Sequence, residues 1–423
     1  MHQLVIAYST LAMTVGLAVS RPRVGARGFR VTPGIAAVIG VVALLVAGLI
    51  KVQDLATSAT IQWRPLLALC CIMVMTGAVK EVGAFERVAR RIEAKARTTT
   101  ATTAFTMVFV TSAVTPSLLN NDAAILLLTP VVIGLSRRLY PNNARILESF
   151  VFAVFLAPGV APLIISNPMN MIVAEFAGIG FNAYAAIMAP ISVAGALLTY
   201  AILRFHYRDV LKNAVADQRP VEVPKAHRAE RPATALLLIV FFSYPVMAAF
   251  GGPIWLVAVF GALACMVLVR QYRVATVGRM ASHVSLDILG FLWGVFLLVV
   301  GLRNVGVVDR LSALYQAQPA GPQQLAIIGG VAALGSAIVD NHPMSILNML
   351  ALGHETGPKP LLAALVGGDI GPRLLPIGSL AGLLWMDLLR RAGIEIGVGK
   401  FVRLGTLVLI PTLAVSLALL YLL

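Results

Sequence analysis

The chain has 423 residues, 59% of them hydrophobic and 12% charged, and its mean hydropathy is +0.89. These proportions exclude a soluble globular chain and indicate a polytopic membrane protein. The formal charge of +15 does not indicate nucleic acid, because the basic residues lie between apolar spans, as topology signals do.

Apolar stretches long enough to cross a bilayer run over 3–20, 33–50, 62–79, 183–203, 233–250, 254–270, 285–301 and 403–422. The first has no Lys or Arg ahead of it, while Arg21, Arg23, Arg27 and Arg30 follow. A cleaved signal peptide has the reverse order, so this is read as an uncleaved span with its N-terminus outside. Two further crossings, 148–178 and 360–390, are interrupted by A-P-G-V-A-P-L-I-I-S-N-P (Ala157 to Pro168) and G-G-D-I-G-P-R-L-L-P-I-G-S (Gly367 to Ser379). Unpaired backbone groups cost several kcal/mol each in lipid, so such breaks face protein or a watery cavity.

Each break is preceded by a polar tip, S-L-L-N-N-D-A-A (Ser117 to Ala124) and A-I-V-D-N-H-P (Ala337 to Pro343). After the first tip, the apolar run 123–135 reaches only about 20 Å at 1.5 Å per residue, short of the ~30 Å hydrocarbon. Arg97 stands before this hairpin and Arg137 and Arg138 after it. Equal basic flanks predict a re-entrant hairpin over 98–136, and the shorter runs 325–339 and 344–352 predict another over 323–353.

With this layout, 27 of the 33 basic residues fall on the cytoplasmic side. The expected fold is therefore an all-α polytopic membrane protein of about ten transmembrane helices, two of them broken, plus two re-entrant helical hairpins. It is arranged as inverted-topology repeats, 1–204 and 233–423, with a cytoplasmic linker at 205–232 carrying Pro220, Pro224 and Pro232. Both termini are expected outside. K-E-V-G-A-F-E-R (Lys80 to Arg87) resembles R-N-V-G-V-V-D-R (Arg303 to Arg310), each following its repeat's third span as an interfacial helix.

An ionisable side chain at bilayer depth costs about 2.5–3.5 kcal/mol on insertion scales and marks a functional candidate. Asp122, Glu175, Asp340, His342, Asp369 and Arg373 stand near the breaks. Asp122 is read as the titrating site, because apolar surroundings favour a neutral carboxyl and bring proton exchange toward neutrality. Asp340, His342, Asp369 and Glu175 are the other coupling candidates, with His342 equally readable as a hydrogen-bonded structural histidine. Arg373, four residues after Asp369, is expected to form an internal ion pair with it. Asn120, Asn121, Ser166, Asn167, Asn170, Asn341, Gly378 and Ser379 offer the donors and acceptors that a neutral, hydroxyl-rich solute requires. The same residues can cap half-helices or satisfy unwound backbone, and capping is compatible with binding.

Cys70, Cys71 and Cys265 are too few and too scattered for a disulfide framework or a trithiolate site. No fixed metal or cofactor is expected. Neither a G-x-x-x-x-G-K-[ST] loop nor H-E-x-x-H is present, which leaves an enzyme reading weak.

N-D-A-A-I-L-L-L-T-P-V-V (Asn121 to Val132), S-N-P-M-N-M-I-V-A-E-F-A-G-I-G-F (Ser166 to Phe181) and G-G-D-I-G-P-R-L-L-P-I-G-S-L-A-G-L-L-W (Gly367 to Trp385) resemble the arsenite/antimonite permeases (ArsB) of the ion transporter superfamily. The resemblance covers nearly the whole chain. It implies a bacterial inner-membrane secondary carrier that exports trivalent arsenite or antimonite against protons, and a soluble ATPase (ArsA) as a partner of some members. It places the tip role on Asn121 and Asp122 and the break roles on Ser166, Asn167, Asp369, Gly378 and Ser379. Where the family's second tip usually reads N-N-M-P, this chain has Asp340-Asn341-His342-Pro343. Arsenite near pH 7 is mostly the neutral trihydroxide, which Asn, Ser, carboxylates and helix N-termini can hydrogen-bond. Two alternatives remain: a sodium/proton antiporter, with Asp122, Asp340 and Asp369 converging on sodium, and a passive channel for neutral solutes.

Overall fold

The structure is a computed structural model that describes residues 2–24, 29–217, 227–354 and 356–423, the side chains of Val24, Leu118 and Asp122 excepted. Apart from a two-residue antiparallel pair, β1 (Arg23–Val24) and β2 (Phe29–Arg30), its regular elements are helical. After α1 (His2–Ser20), Pro33 opens α2 (Pro33–Val46), where the absent N–H leaves no partner wanting. α2 stops short of the expected residue 50, because Gly48 adopts a φ of +68° and the Leu49 N–H returns to the Leu44 carbonyl at 2.9 Å. α3 (Val52–Glu81) starts ten residues before its apolar run, with the Lys51 N–H donating to the Asp54 carboxylate at 2.7 Å. Its 30 residues give it a length of about 45 Å.

α4 (Ala84–Arg97) follows Gly83, and α5 (Ala101–Leu118) and α6 (Asn121–Leu139) form the first hairpin. α6 is longer than its apolar run because the helix continues through Ser136, Arg137 and Arg138. α7 (Ala144–Leu156), a 3-10 turn at Ile164–Ser166, and α8 (Pro168–Ala177) make the first broken crossing. α9 (Phe181–His206) and α10 (Arg208–Asn213) lead to the linker, whose Pro220 and Pro224 lie outside the described residues. Next come α11 (Glu230–Ala249), α12 (Ile254–Gln271), α13 (Val277–Ala281), α14 (Leu286–Asn304) and, after Gly306, α15 (Val307–Gln316). The second hairpin is α16 (Pro322–Val339) and α17 (Asn341–Leu352). α18 (Pro358–Ile370), turns at Gly371–Arg373 and Pro376–Gly378, and α19 (Leu380–Arg391) make the second broken crossing, before α20 (Val398–Leu422).

α16 differs from the short arm expected. Pro322 opens it and Gln323 and Gln324 extend it to 18 residues, long and apolar enough to span on its own. The chain nevertheless turns back at Asp340, whose φ of +93° is a rare backbone conformation for a residue with a side chain.

The hairpins pack in a crossed pattern. α5 and α6 lie against α7, and α6 also meets α19; α16 and α17 lie against α18, and α17 also meets α8. Each hairpin thus touches the first half-helix of its own half and the second half-helix of the other. At the base of the first hairpin, the buried Glu93 of α4 accepts from Arg97 at 2.9 Å, Arg90 at 3.2 Å and Arg138 of α6 at 2.9 Å. Trp385 of α19 is fully buried and stacks on Phe155 of α7 at 4.8 Å. Exposed Val38 and Val42 on α2, Leu197 on α9, and Phe260, Leu263 and Val267 on α12 give outer faces suited to lipid.

Small residues line the contact between α16 and α18. A Cβ on Gly367 of α18 would overlap the Gly329 carbonyl oxygen of α16 and approach the Ala332 Cβ at 2.8 Å. Close backbone approach at small residues is how helices associate in lipid. Gly367→Ala is expected to lower stability by roughly 1–3 kcal/mol, an overpacking cost. Gly330→Ala, which meets open space, is expected to stay within about 0.5 kcal/mol of the parent. Thermal unfolding of the two variants in detergent checks the contrast.

Candidate functional site

The first break is held by the second. Pro158 and Pro162 have no N–H to continue a helix, so the chain unwinds between Leu156 and Ile164. Asp369, at the end of α18, accepts the Ala161 N–H at Oδ2 (2.8 Å), the Asn167 amide at Oδ1 (2.7 Å) and the Asn170 amide at Oδ2 (3.2 Å). The Asn170 amide also reaches the Tyr184 hydroxyl at 2.6 Å, and Tyr184 donates to the Ala161 carbonyl at 3.1 Å. A closed ring of hydrogen bonds therefore joins α18, the unwound segment, α8 and α9.

The expected Asp369–Arg373 ion pair is not formed. α18 ends at Ile370, and Gly371-Pro372 start a 3-10 turn that carries Arg373 away from the helical i+4 position. Arg373, 3% exposed, donates instead to the carbonyls of Leu156 (2.6 Å) and Pro158 (3.1 Å), and to the hydroxyls of Thr412 (3.2 Å) and Thr199 (3.4 Å). The cation sits where the C-terminus of α7 leaves carbonyls without helical partners. Acid and base from one break thus satisfy the donors and acceptors of the other.

Asn120 caps α6 by accepting the Ala123 N–H at 2.7 Å, and Asn121 is half-buried in the first turn. The side chain of Asp122 lies outside the described residues. Asn167 caps α8 by accepting the Met169 N–H at 3.0 Å, in addition to its bond with Asp369. Ser379 caps α19 by accepting the Gly382 N–H at 3.0 Å. Gly378 is a close-approach glycine, since a Cβ there would lie 2.9 Å from both the Ala337 Cα and the Ser336 carbonyl of the second hairpin. Asp340 accepts the His342 backbone N–H at 2.9 Å and faces His342 Nδ1 at 2.6 Å, while the imidazole stands edge-on to Phe291, 5.8 Å away. Glu175 is apart from these groups: it is exposed and paired with Arg64 of α3 at 2.8 Å.

Four buried oxygens around the breaks and second tip have no hydrogen-bond partner: Ser166 Oγ, Asn170 Oδ1, Ser336 Oγ and Asn341 Oδ1. An unmatched buried polar atom costs about 1–3 kcal/mol, so these atoms suit a hydroxylated guest or water. Among the described residues no group of three His, Cys, Asp or Glu is placed to hold a metal ion. Two cavities approach α8. One of about 410 Å³ is bordered by Arg64, Pro65, Ala68, Ile164, Met171 and Glu175. The other, of about 250 Å³, is bordered by Leu69, Thr76, Lys80, Asn120, Pro168 and His283, among others.

Sequence reasoning missed Tyr184, Thr199, Thr412 and Thr76. Each is a polar residue within an apolar span, where a hydroxyl needs a partner, and that was the available signal.

The chain matches the family of arsenical pump membrane proteins, ArsB, over residues 11–423. It is 28% identical to the "Arsenical pump membrane protein" of Escherichia coli K12, with 98% of each chain covered. It is 29% identical to the "Uncharacterized transporter Rv2684" of Mycobacterium tuberculosis, over 93% of this chain and 94% of that one. Among solved structures, its fold is similar to the Alcanivorax borkumensis YdaH transporter, with a TM-score of 0.58 at 15% identity, covering 100% of this chain and 98% of that one. Neisseria gonorrhoeae MtrF gives a TM-score of 0.55 at 13% identity, over 100% and 95%.

Proposed function

This chain belongs to the arsenical pump membrane protein family, and from that membership we propose that it exports trivalent arsenite or antimonite as the neutral trihydroxide, across a bacterial inner membrane, in exchange for protons. It is a multi-pass membrane transporter of that family and not an enzyme. The observation that carries the finer reading is the Asp369 ring: a half-buried carboxylate held by both breaks, beside the unpartnered oxygens of Ser166 and Asn170. A trihydroxide supplies three O–H donors and oxygen acceptors, which match unpaired carbonyl-type and hydroxyl oxygens. Binding by oxygen and nitrogen also permits release, which thiolate capture would oppose.

In this reading the halves 1–204 and 233–423 are inverted repeats, which the like order of hairpin and broken helix in each half supports. The positive-inside segregation of the basic residues supports both termini lying outside. The solute binds at the breaks, with Asn120, Asn121, Asn167, Asn341, Gly378 and Ser379 around it. A carboxylate releases its proton as the solute leaves and is reprotonated from outside. Asp122 and Asp369 are the coupling groups proposed, with the Asp340–His342 pair and Glu175 as secondary candidates. A soluble ATPase partner of the ArsA type belongs to the same reading.

The test is arsenite uptake into everted vesicles with and without an imposed proton gradient, joined to arsenite-driven proton movement in proteoliposomes. Uptake is expected to follow the gradient, and Asp122→Asn is expected to abolish proton movement. Unchanged coupling in that variant removes Asp122 from the mechanism. Gradient-independent arsenite flux indicates a channel, and sodium-dependent transport without arsenite indicates a sodium/proton antiporter.

A further inference from the structure

The residues of α3 bordering the two cavities form one stripe. Pro65 and Ala68 face the Arg64-end cavity, and Leu69, Met73, Thr76 and Lys80 face the other. Pro65, Leu69, Met73, Thr76 and Lys80 follow one another at steps of three and four residues, which keeps these five on one side of the helix, with Arg64, Ala68 and Gly77 flanking them. The first turn of α8 borders both cavities, with Met171 on one and Pro168 on the other, and Ile164 of the preceding 3-10 turn joins Met171. Asn167, the cap of that turn, is the residue bonded to Asp369.

Thr76 is the unusual member of the stripe. Thr106, Thr111, Thr115, Thr129, Thr199 and Thr412 each donate to the carbonyl four residues back, the ordinary arrangement for a helical threonine in an apolar setting. Thr76 makes no such bond: its Oγ1 is buried without a partner, as is that of Thr14 in α1, but Thr76, 7% exposed, borders the Lys80-end cavity and Thr14 borders neither cavity. Asn120 borders the same cavity, uses its Oδ1 on the Ala123 N–H, and retains its amide N–H donors. Leu69, Leu126, Leu127 and Ile288 supply apolar wall, and Lys80, His283 and Ser285 are its other polar residues. The space of about 250 Å³ exceeds several water volumes of about 30 Å³ each.

We propose that the Lys80-end cavity is the entry site for the solute, that the α3 stripe is the fixed wall of its passage, and that Thr76 is a binding residue there for a small neutral polyhydroxyl solute. This rests on the reading of the chain as an exporter of a neutral trihydroxide. A hydroxyl with no internal partner and a nearby amide donor offer that solute both an acceptor and a donor. Among the described side chains, the wall carries no carboxylate that would demand a cation.

The test compares Thr76→Val and Thr76→Ser with the parent for arsenite uptake in everted vesicles. Thr76→Val keeps the shape and removes the hydroxyl, and is expected to raise KM about tenfold with little change in maximal rate, the effect of one lost hydrogen bond. Thr76→Ser is expected to retain the parent KM, which a merely structural role for the threonine methyl would not allow. An unchanged KM in Thr76→Val, or an equal rise in Thr76→Ser, overturns the assignment while leaving arsenite export intact. Absence of arsenite uptake by the parent overturns the export reading itself. Should Thr76→Val fail to fold, Met73→Trp decides: narrowing the cavity is expected to raise KM, and a parental KM overturns the proposal.

Discussion

Arg373→Met is expected to abolish arsenite uptake and to lower the unfolding temperature in detergent by more than any other single substitution at the breaks. The guanidinium serves four acceptors at once, the carbonyls of Leu156 and Pro158 and the hydroxyls of Thr199 and Thr412. Removing it strands two carbonyls that the unwound chain cannot pair internally, at about 1–3 kcal/mol each for a buried acceptor. Methionine fills similar space, so packing loss is a small part of the effect. Arg373→Lys keeps the charge but has no planar fork, and cannot span carbonyls on one side and threonines on the other. It is expected to recover part of the stability and little of the uptake. Parental stability and uptake in Arg373→Met would show that the first break does not need the cation.

Much of this arrangement was legible from residue order. Prolines and glycines within apolar runs located both breaks, and the Asn/Asp tips located both hairpins, because only a few residue types start or stop a helix and they do so by local geometry. Lengths were less legible. α3 and α6 exceed their apolar runs because a helix continues wherever its backbone can, through polar residues such as Gln53 or Arg138, and hydropathy marks the surroundings and not the hydrogen-bond ladder. Partner choice was least legible. Asp369 and Arg373, four apart, look like a helical pair, yet Gly371-Pro372 turns the chain between them and sends each to the opposite half, Asp369 to Asn170, 199 residues away, and Arg373 to Leu156, 217 residues away. Such pairings depend on how the halves meet, which no local window contains. Thr76 makes the same point in the other direction: its missing back-bond is visible only when every neighbour is in place.

Asp369→Asn is expected to cut arsenite uptake by about 10- to 100-fold and to eliminate arsenite-driven proton movement if Asp369 carries the proton. The carboxylate accepts three bonds through two oxygens: Oδ1 from Asn167, and Oδ2 from Ala161 and Asn170. An asparagine has one acceptor oxygen. With that oxygen toward Ala161 and Asn170, its NH₂ confronts the Asn167 amide, donor against donor; flipped, it leaves the Ala161 and Asn170 N–H groups opposed instead. At least one bond to a charged acceptor is lost, worth about 1.5–3 kcal/mol, and a factor of ten corresponds to about 1.4 kcal/mol, which sets the range for uptake. Proton movement is a separate readout, since an amide cannot take up and release a proton in the working range. Asp369→Glu keeps the charge and lengthens the reach, so it is expected to retain coupling at a reduced rate. A variant Asp369→Asn that still moves protons with arsenite would confine Asp369 to holding the breaks together and leave Asp122 as the coupling group. Loss of uptake with an unchanged unfolding temperature would instead place Asp369 in the transport step itself.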